Sequence, residues 1–122
     1  MTEAFFDVDN ERRLTGTVLS GNETQKRRIF KTVNPEMLGP ENEIIFKAAV
    51  TLYQAGKPFD MGAVSALLKT DGQQVNDVYL MELVEMAVDG DPGPLIERIV
   101  TLHKARELAR RLQRGLSQIE KG

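Results

Sequence analysis

The chain has 122 residues, 41% apolar and 28% charged, with a formal net charge of −2. That is one domain of sequence, with enough apolar material to bury a core unaided. The lack of cysteine excludes disulfides and thiol chemistry, the single His103 excludes a histidine metal cluster, and no apolar run nears the roughly 20 residues of a membrane span.

Acids precede bases at the N-terminus, the wrong order for a signal peptide, so a cytoplasmic location is expected. Residues 1–8 read as a flexible leader tacked down by Phe5, Phe6 and Val8. Asp9 or Asn10 is expected to cap a first helix through about Leu19. Leu14, Val18 and Leu19 give its inward face. Gly16 inside this helix costs roughly 1 kcal/mol relative to Ala, and it reads either as a place for close approach of another backbone or as a simply tolerated glycine. A second helix runs from about Glu23 to Val33 with Ile29, Phe30 and Val33 inward. Its cations Lys26, Arg27, Arg28 and Lys31 read as a solvated face, because no aromatic interleaves with them. Asn34-Pro35 ends it.

The stretch Gly39 to Asp60 carries start and stop signals at both ends. Pro40, Glu41 and Glu43 suit a helix start, and Gly56 with Pro58 a stop. Between them only Lys47, Thr51 and Gln54 break an apolar surface, which predicts a helix at the centre of the domain. Asp60 caps a fourth helix to about Lys69, with Val64, Leu67 and Leu68 inward. A fifth is expected from about Asn76 to Val88, with Val78, Tyr79, Met81, Leu83, Val84 and Met86, its methionines filling core gaps. Asp89 to Pro94 is the strongest breaker. Its Asp-x-Asp lacks the rest of a calcium loop and reads as a plain turn.

The last helix is expected from Pro94 to about Glu120. Leu95, Ile99, Leu102, Ala105, Ala109, Leu112, Leu116 and Ile119 step by four and three, a heptad-like seam with Leu108 beside it. So long a helix cannot lie wholly on so small a domain. Its free part calls for a second copy of the chain, unless it folds back along helix five. The expected interface is Leu102, Ala105, Arg106, Ala109, Arg110, Leu112 and Leu116. From Glu97 onward seven Lys/Arg face three Glu, whereas nine Lys/Arg face fifteen acids before it. The basic tail suits solvent or a protein partner better than DNA, because the chain as a whole is acidic.

Catalytic motifs are absent: no phosphate loop, no GxGxxG and no GxSxG. Glu82 and Glu85 read as an ordinary solvated face, and His103 as a surface or partly packed residue beside the seam. The product of this chain is a surface rather than a reaction.

The order of signals resembles the N-terminal domain of bacterial replicative DNA helicases of the hexameric DnaB type. Glu11, Leu14, Gly16, Val18 and Leu19 resemble its opening motif, with Thr15 where a Leu is usual. Asn34-Pro35-Glu36-Met37 is similar to its corner, without the aromatic. Ile45-Phe46, Gly56-Lys57-Pro58 and Phe59-Asp60 are similar to its central helix and exit, and Val64 and Leu67 to its short fourth helix. Tyr79-Leu80-Met81-Glu82-Leu83 and Ile99-Val100 follow, and Arg106 to Arg111 continues the basic helix. Asn42 stands where the family has a histidine, Val75-Asn76-Asp77 where it has Val-Gly-Gly, and Ile96 where it has a tyrosine.

The resemblance implies an all-α fold: a small orthogonal bundle of about six helices with a projecting C-terminal helical hairpin. The head would span residues 9–88 and the long hairpin helix 94–120, leading to an inter-domain linker. It further implies a non-catalytic collar that self-associates as a dimer or part of a hexamer and docks primase and the helicase loader. ATP and Mg would belong to an absent motor domain. The alternatives are a free-standing adaptor that binds a helicase or primase, and a small basic-tailed DNA-binding protein. An enzyme is a distant fourth.

Overall fold

A computed structural model describes residues 7–121, with side chains for residues 7–116. The leader positions Phe5 and Phe6, and the Ile119 side chain at the end of the seam, lie outside the described residues. Among the described residues the chain forms six α-helices: α1 Val8–Ser20, α2 Glu23–Thr32, α3 Pro40–Gln54, α4 Met61–Thr70, α5 Asp77–Glu85 and α6 Gly93–Lys121. A 3-10 turn, Pro35–Met37, joins α2 to α3. No strand occurs among the described residues.

Local chemistry explains most of the helix starts. Asp7 caps α1 by accepting from the Asn10 N–H, so the helix begins ahead of the expected caps at Asp9 and Asn10. Asn22 and Gln25 form a reciprocal capping box at α2. Asp60 caps α4 and Asn76 caps α5, each accepting from the backbone N–H three residues on. The α3 stop uses Gly56 at φ +71°, a conformation that costs an L-residue about 1 kcal/mol or more. Replacing Asn22 by Ala should lower stability by about 1 kcal/mol in urea unfolding, because an orphan N–H of α2 loses its partner. No loss would refute the capping account.

The centre of the fold is α1, not α3. From Leu14 to Leu19 every residue of α1 is buried, and the helix touches each of the other five. It runs alongside α5 in the same direction, since the contacts Arg12–Tyr79, Gly16–Leu83 and Thr17–Val88 advance together along both. Its polar interior residues are satisfied locally. Thr15 and Thr17 hydroxyls donate to the carbonyls of Glu11 and Arg13, and Thr17 also accepts from the Val88 N–H. Small side chains at positions 15–17 let neighbours approach from several sides, which a bulkier helix would forbid.

The α3 helix buries Asn42, Ile45, Phe46, Ala48 and Ala49, but Ile44, Lys47 and Thr51 remain exposed. They border an open groove whose far side is Leu68, Asp71 and Gln73. Ile44 therefore widens the polar stripe into a solvent face. The α5 helix is shorter than expected and buries only Leu80 and Leu83. Val78 and Met81 point outward, contrary to their expected place in the core. The core also takes Leu95, Ile96 and Ile99 from α6, so the head draws on the chain past residue 88. Finally, α6 packs on α1, α2 and the 3-10 turn, and α5 is not among its main neighbours. The alternative of a fold-back along helix five is thus not among the main contacts, and α6 leaves the corner at Asp89–Pro92 to pack on α1 instead.

Candidate protein-interaction surface

The last helix spans 29 residues, about 43 Å at roughly 1.5 Å per residue. Its first half is anchored. Leu95, Ile96, Ile99, Leu102 and Arg106 are all buried in the head. Of the expected interface residues, Leu102 and Arg106 thus belong to the head's own packing. Arg106 donates to the Met37 carbonyl at 2.7 Å and lies 3.4 Å from His103 Nδ1, which places His103 at the root of the arm.

Beyond that point the helix leaves the head. Leu108, Leu112 and Leu116 are 58, 61 and 60% exposed, and Ala105 and Ala109 are half-buried between them and the root. Arg110 is exposed and pairs with Glu107 at 2.7 Å on the arm's own surface. The seam therefore divides. At about 100° per residue, Leu95, Ile99, Leu102 and Arg106 share one sector, while Ala105, Leu108, Ala109, Leu112 and Leu116 cluster roughly 100° around from it. A heptad pattern on a straight helix drifts by about 20° per repeat, so one stripe cannot face one neighbour throughout. Reading Leu108 as a bystander followed from assuming that it could.

A buried polar cluster holds the arm's root. Glu11 is 2% exposed, and its Oε1 accepts from the Gly39 N–H at 2.7 Å and from Asn42 Nδ2 at 3.5 Å. Asn42 Oδ1 accepts from the Tyr79 hydroxyl at 2.7 Å. The cluster thereby ties α1, α3 and α5 together beside the Arg106 charge on α6. Burial pushes the Glu11 carboxyl above its usual range, and the Gly39 and Asn42 hydrogen bonds and the Arg106 charge oppose that shift only in part. Burial likewise pushes up the Tyr79 phenol. Sequence reasoning noted Glu11 and Asn42 only as motif positions. A lone acid three residues before a buried Leu was the available signal.

The basic face of α2 is not a free cationic patch. Lys26 is buried, donates to the Phe59 carbonyl at 3.1 Å and stands 4.2 Å over the Phe59 ring. Phe59 belongs to an aromatic group with Phe30, Phe46 and Tyr53. Arg28 pairs with Asp91 across the corner that precedes α6. Asp91 also accepts from the Gly93 N–H, which is the main reason its carboxyl titrates low. The Asp-x-Asp segment is thus a turn, and no group of metal-holding side chains occurs among the described residues. Gln25 closes the same corner by donating to the Val88 and Gly90 carbonyls.

Among the described residues the molecule is an all-α head carrying a helical arm with an exposed leucine stripe. The model of the DnaB-like helicase N-terminal domain matches residues 3–101, and the chain belongs to that family. The match stops short of the exposed leucines. The fold is similar to the N-terminal domain of DnaB helicase from Mycobacterium tuberculosis, with a TM-score of 0.85 at 20% identity over 92% of this chain and 81% of that one. It is also similar to the N-terminal domain of DnaB helicase from Helicobacter pylori, a domain described with its interactions with primase. There the TM-score is 0.78 at 18% identity, over 98% of this chain and 94% of that one. No curated protein matches the chain in sequence. The domain is non-catalytic, and helicase activity resides in the C-terminal domain of such proteins. No helix among the described residues is long and apolar enough to cross a membrane.

Proposed function

We propose that this chain acts in the cytoplasm as the collar domain of a hexameric replicative DNA helicase, self-associating through the α6 arm and docking primase and the helicase loader. The observation that supports it is the stripe Leu108–Leu112–Leu116, three leucines left in water on an arm rooted firmly in the head. Each leucine fully buried contributes about 1.5–3 kcal/mol, so three of them on one stripe are a strong drive to find an apolar partner. Nucleotide and metal have no role in this domain. Its exposed arginines Arg110, Arg111 and Arg114 lie around the arm from the stripe, on its far side.

The test is association of Leu112→Glu. The wild-type chain should sediment as a dimer or larger at high micromolar concentration. The variant should run as a monomer with unchanged circular dichroism, because Leu112 makes no contribution to the core. A wild-type chain that stays monomeric under those conditions refutes self-association by this domain.

A further inference from the structure

The four cations of α2 divide into two pairs. Lys26 is held at the Phe59 carbonyl and ring, and Arg28 by Asp91. Arg27 and Lys31 are exposed and make no hydrogen bond or ion pair among the described residues. Both stand on the rim of a groove of about 320 Å³ between the C-terminal halves of α2 and α3. Four residues apart, they share one side of α2. The floor of the groove is apolar. Phe30, Val50 and Tyr53 are partly buried there, and the Phe30 and Tyr53 ring centroids are 4.6 Å apart. Phe46 and Phe59 back Phe30 at 5.4 and 6.2 Å, so the core fixes the floor in place. Asn34 and Gln54 complete the rim, and no acid among the described residues lines the groove. In the sequence the run looks like a plain solvated face, because its second ring, Tyr53, comes from α3.

We propose that this groove docks a short acidic segment of another protein, one that carries an aromatic side chain between carboxylates. The incoming ring packs on Phe30 and Tyr53 in an offset or edge-on contact. Carboxylates on either side of it meet Arg27 and Lys31, the guanidinium offering a paired donor. The Asn34 and Gln54 amides both donate and accept, which suits the backbone of an extended segment. Charge selects this occupant, since two unpaired cations with no acid between them complement carboxylates. Tyr, Phe and Arg are also the residue types enriched at protein contacts. Single-stranded nucleic acid is the poorer fit, because it needs a longer cationic track and the chain as a whole is acidic. The groove includes no residue of α6, so the inference holds whether or not the arm self-associates.

The probe is a fluorescein-labelled, C-terminally amidated peptide, Gly-Asp-Glu-Phe-Glu-Asp, followed by fluorescence anisotropy. It is expected to bind the wild-type chain, more weakly as salt rises. In a heteronuclear NMR titration it should shift the amide resonances of residues 27–34 and 50–54. Arg27→Ala/Lys31→Ala is expected to weaken binding about tenfold or more, because charge-assisted hydrogen bonds are lost. Both side chains are exposed and outside the core, and circular dichroism checks that the variant folds as the wild type does. A peptide with Ala in place of Phe should also bind about tenfold more weakly or worse. A wild-type chain that leaves the probe free at millimolar concentration overturns the proposal. So does binding that Arg27→Ala/Lys31→Ala or loss of the Phe leaves unchanged, and so do shifts confined to other residues. Capture of labelled oligo(dT) by the wild type but not by the variant, with the peptide left free, would assign the groove to nucleic acid and overturn it too.

Discussion

Gly16→Ala is expected to destabilise the head by about 3 kcal/mol or more, a large part of the roughly 5–15 kcal/mol that holds a domain of this kind. In isolation the change should help, since Ala is worth roughly 1 kcal/mol over Gly inside a helix. The contact decides the sign. A Cβ at Gly16 would stand 1.8 Å from the Leu83 carbonyl oxygen, 2.6 Å from its carbon and 3.3 Å from the Ala87 nitrogen. These are backbone atoms of α5 and its exit, and no rotamer moves them aside. Relief requires α1 and α5 to part by more than roughly 1 Å, which forfeits much of the dispersion attraction across their interface. The Thr17–Val88 hydrogen bond spans the same junction and would be lengthened too. Urea unfolding followed by circular dichroism measures the outcome. A Gly16→Ala protein as stable as the wild type would mean that the two helices do not pack this closely.

Glu11→Ala is the second large effect, with an expected loss of about 3 kcal/mol. It leaves the Gly39 N–H and the Asn42 amide without their acceptor and removes the carboxylate facing the buried Arg106. Each orphaned donor costs about 1–3 kcal/mol, and a buried charge stripped of compensation more. Glu11→Gln is the informative companion, because its amide oxygen still accepts from Gly39 and it carries no charge to desolvate. The folded carboxyl titrates above its ordinary value of 4.5, chiefly from burial. Between that value and the raised one the folded state holds more protons than the unfolded state. Stability from this group is therefore fully present below pH 4.5 and is lost as pH rises through the raised value. Glutamine mimics the protonated form, so Glu11→Gln should gain on the wild type at neutral pH and lose that advantage as pH falls toward 4.5. Asp77 and Asp91 act in the opposite sense. Hydrogen bonds from Ser65 and from the backbone N–H of Gly93, respectively, hold their carboxyls low, so their contribution fades on acidification and is common to both proteins. An advantage of glutamine that grows on acidification would refute the account of Glu11.

Where a sequence signal acts through neighbours a few residues away, it was legible. Asp60 and Asn76 cap the helices they precede, and Pro40 and Gly56 bound α3. The close approach at Gly16 was read from one glycine in an otherwise ordinary helix, and its partner turned out to be the Leu83 carbonyl. Asp7 was missed because three acids or amides stand within four positions, and any of them suits an N-cap. Val78 and Met81 were misplaced because α5 is only nine residues long, too short for its apolar positions to declare one face.

The arm was half legible. A long terminal helix with spaced leucines announced an arm, and the exposure of Leu112 and Leu116 agrees with that. Leu102 was assigned to the seam and Arg106 to the expected interface, but both are buried in the head. The pattern alone contains no mark of where the head ends, since a leucine reads the same whether it meets its own domain or another. Composition, caps and breakers determined the six helices of the described residues and their approximate bounds, because each depends on local backbone chemistry. Tertiary structure decided that α1 rather than α3 lies at the centre, that α6 crosses α1 instead of folding back on α5, and that the leucine stripe turns away from the head. Those outcomes depend on which surfaces can approach most closely, and the small residues Thr15, Gly16 and Thr17 made α1 the helix that the others could reach.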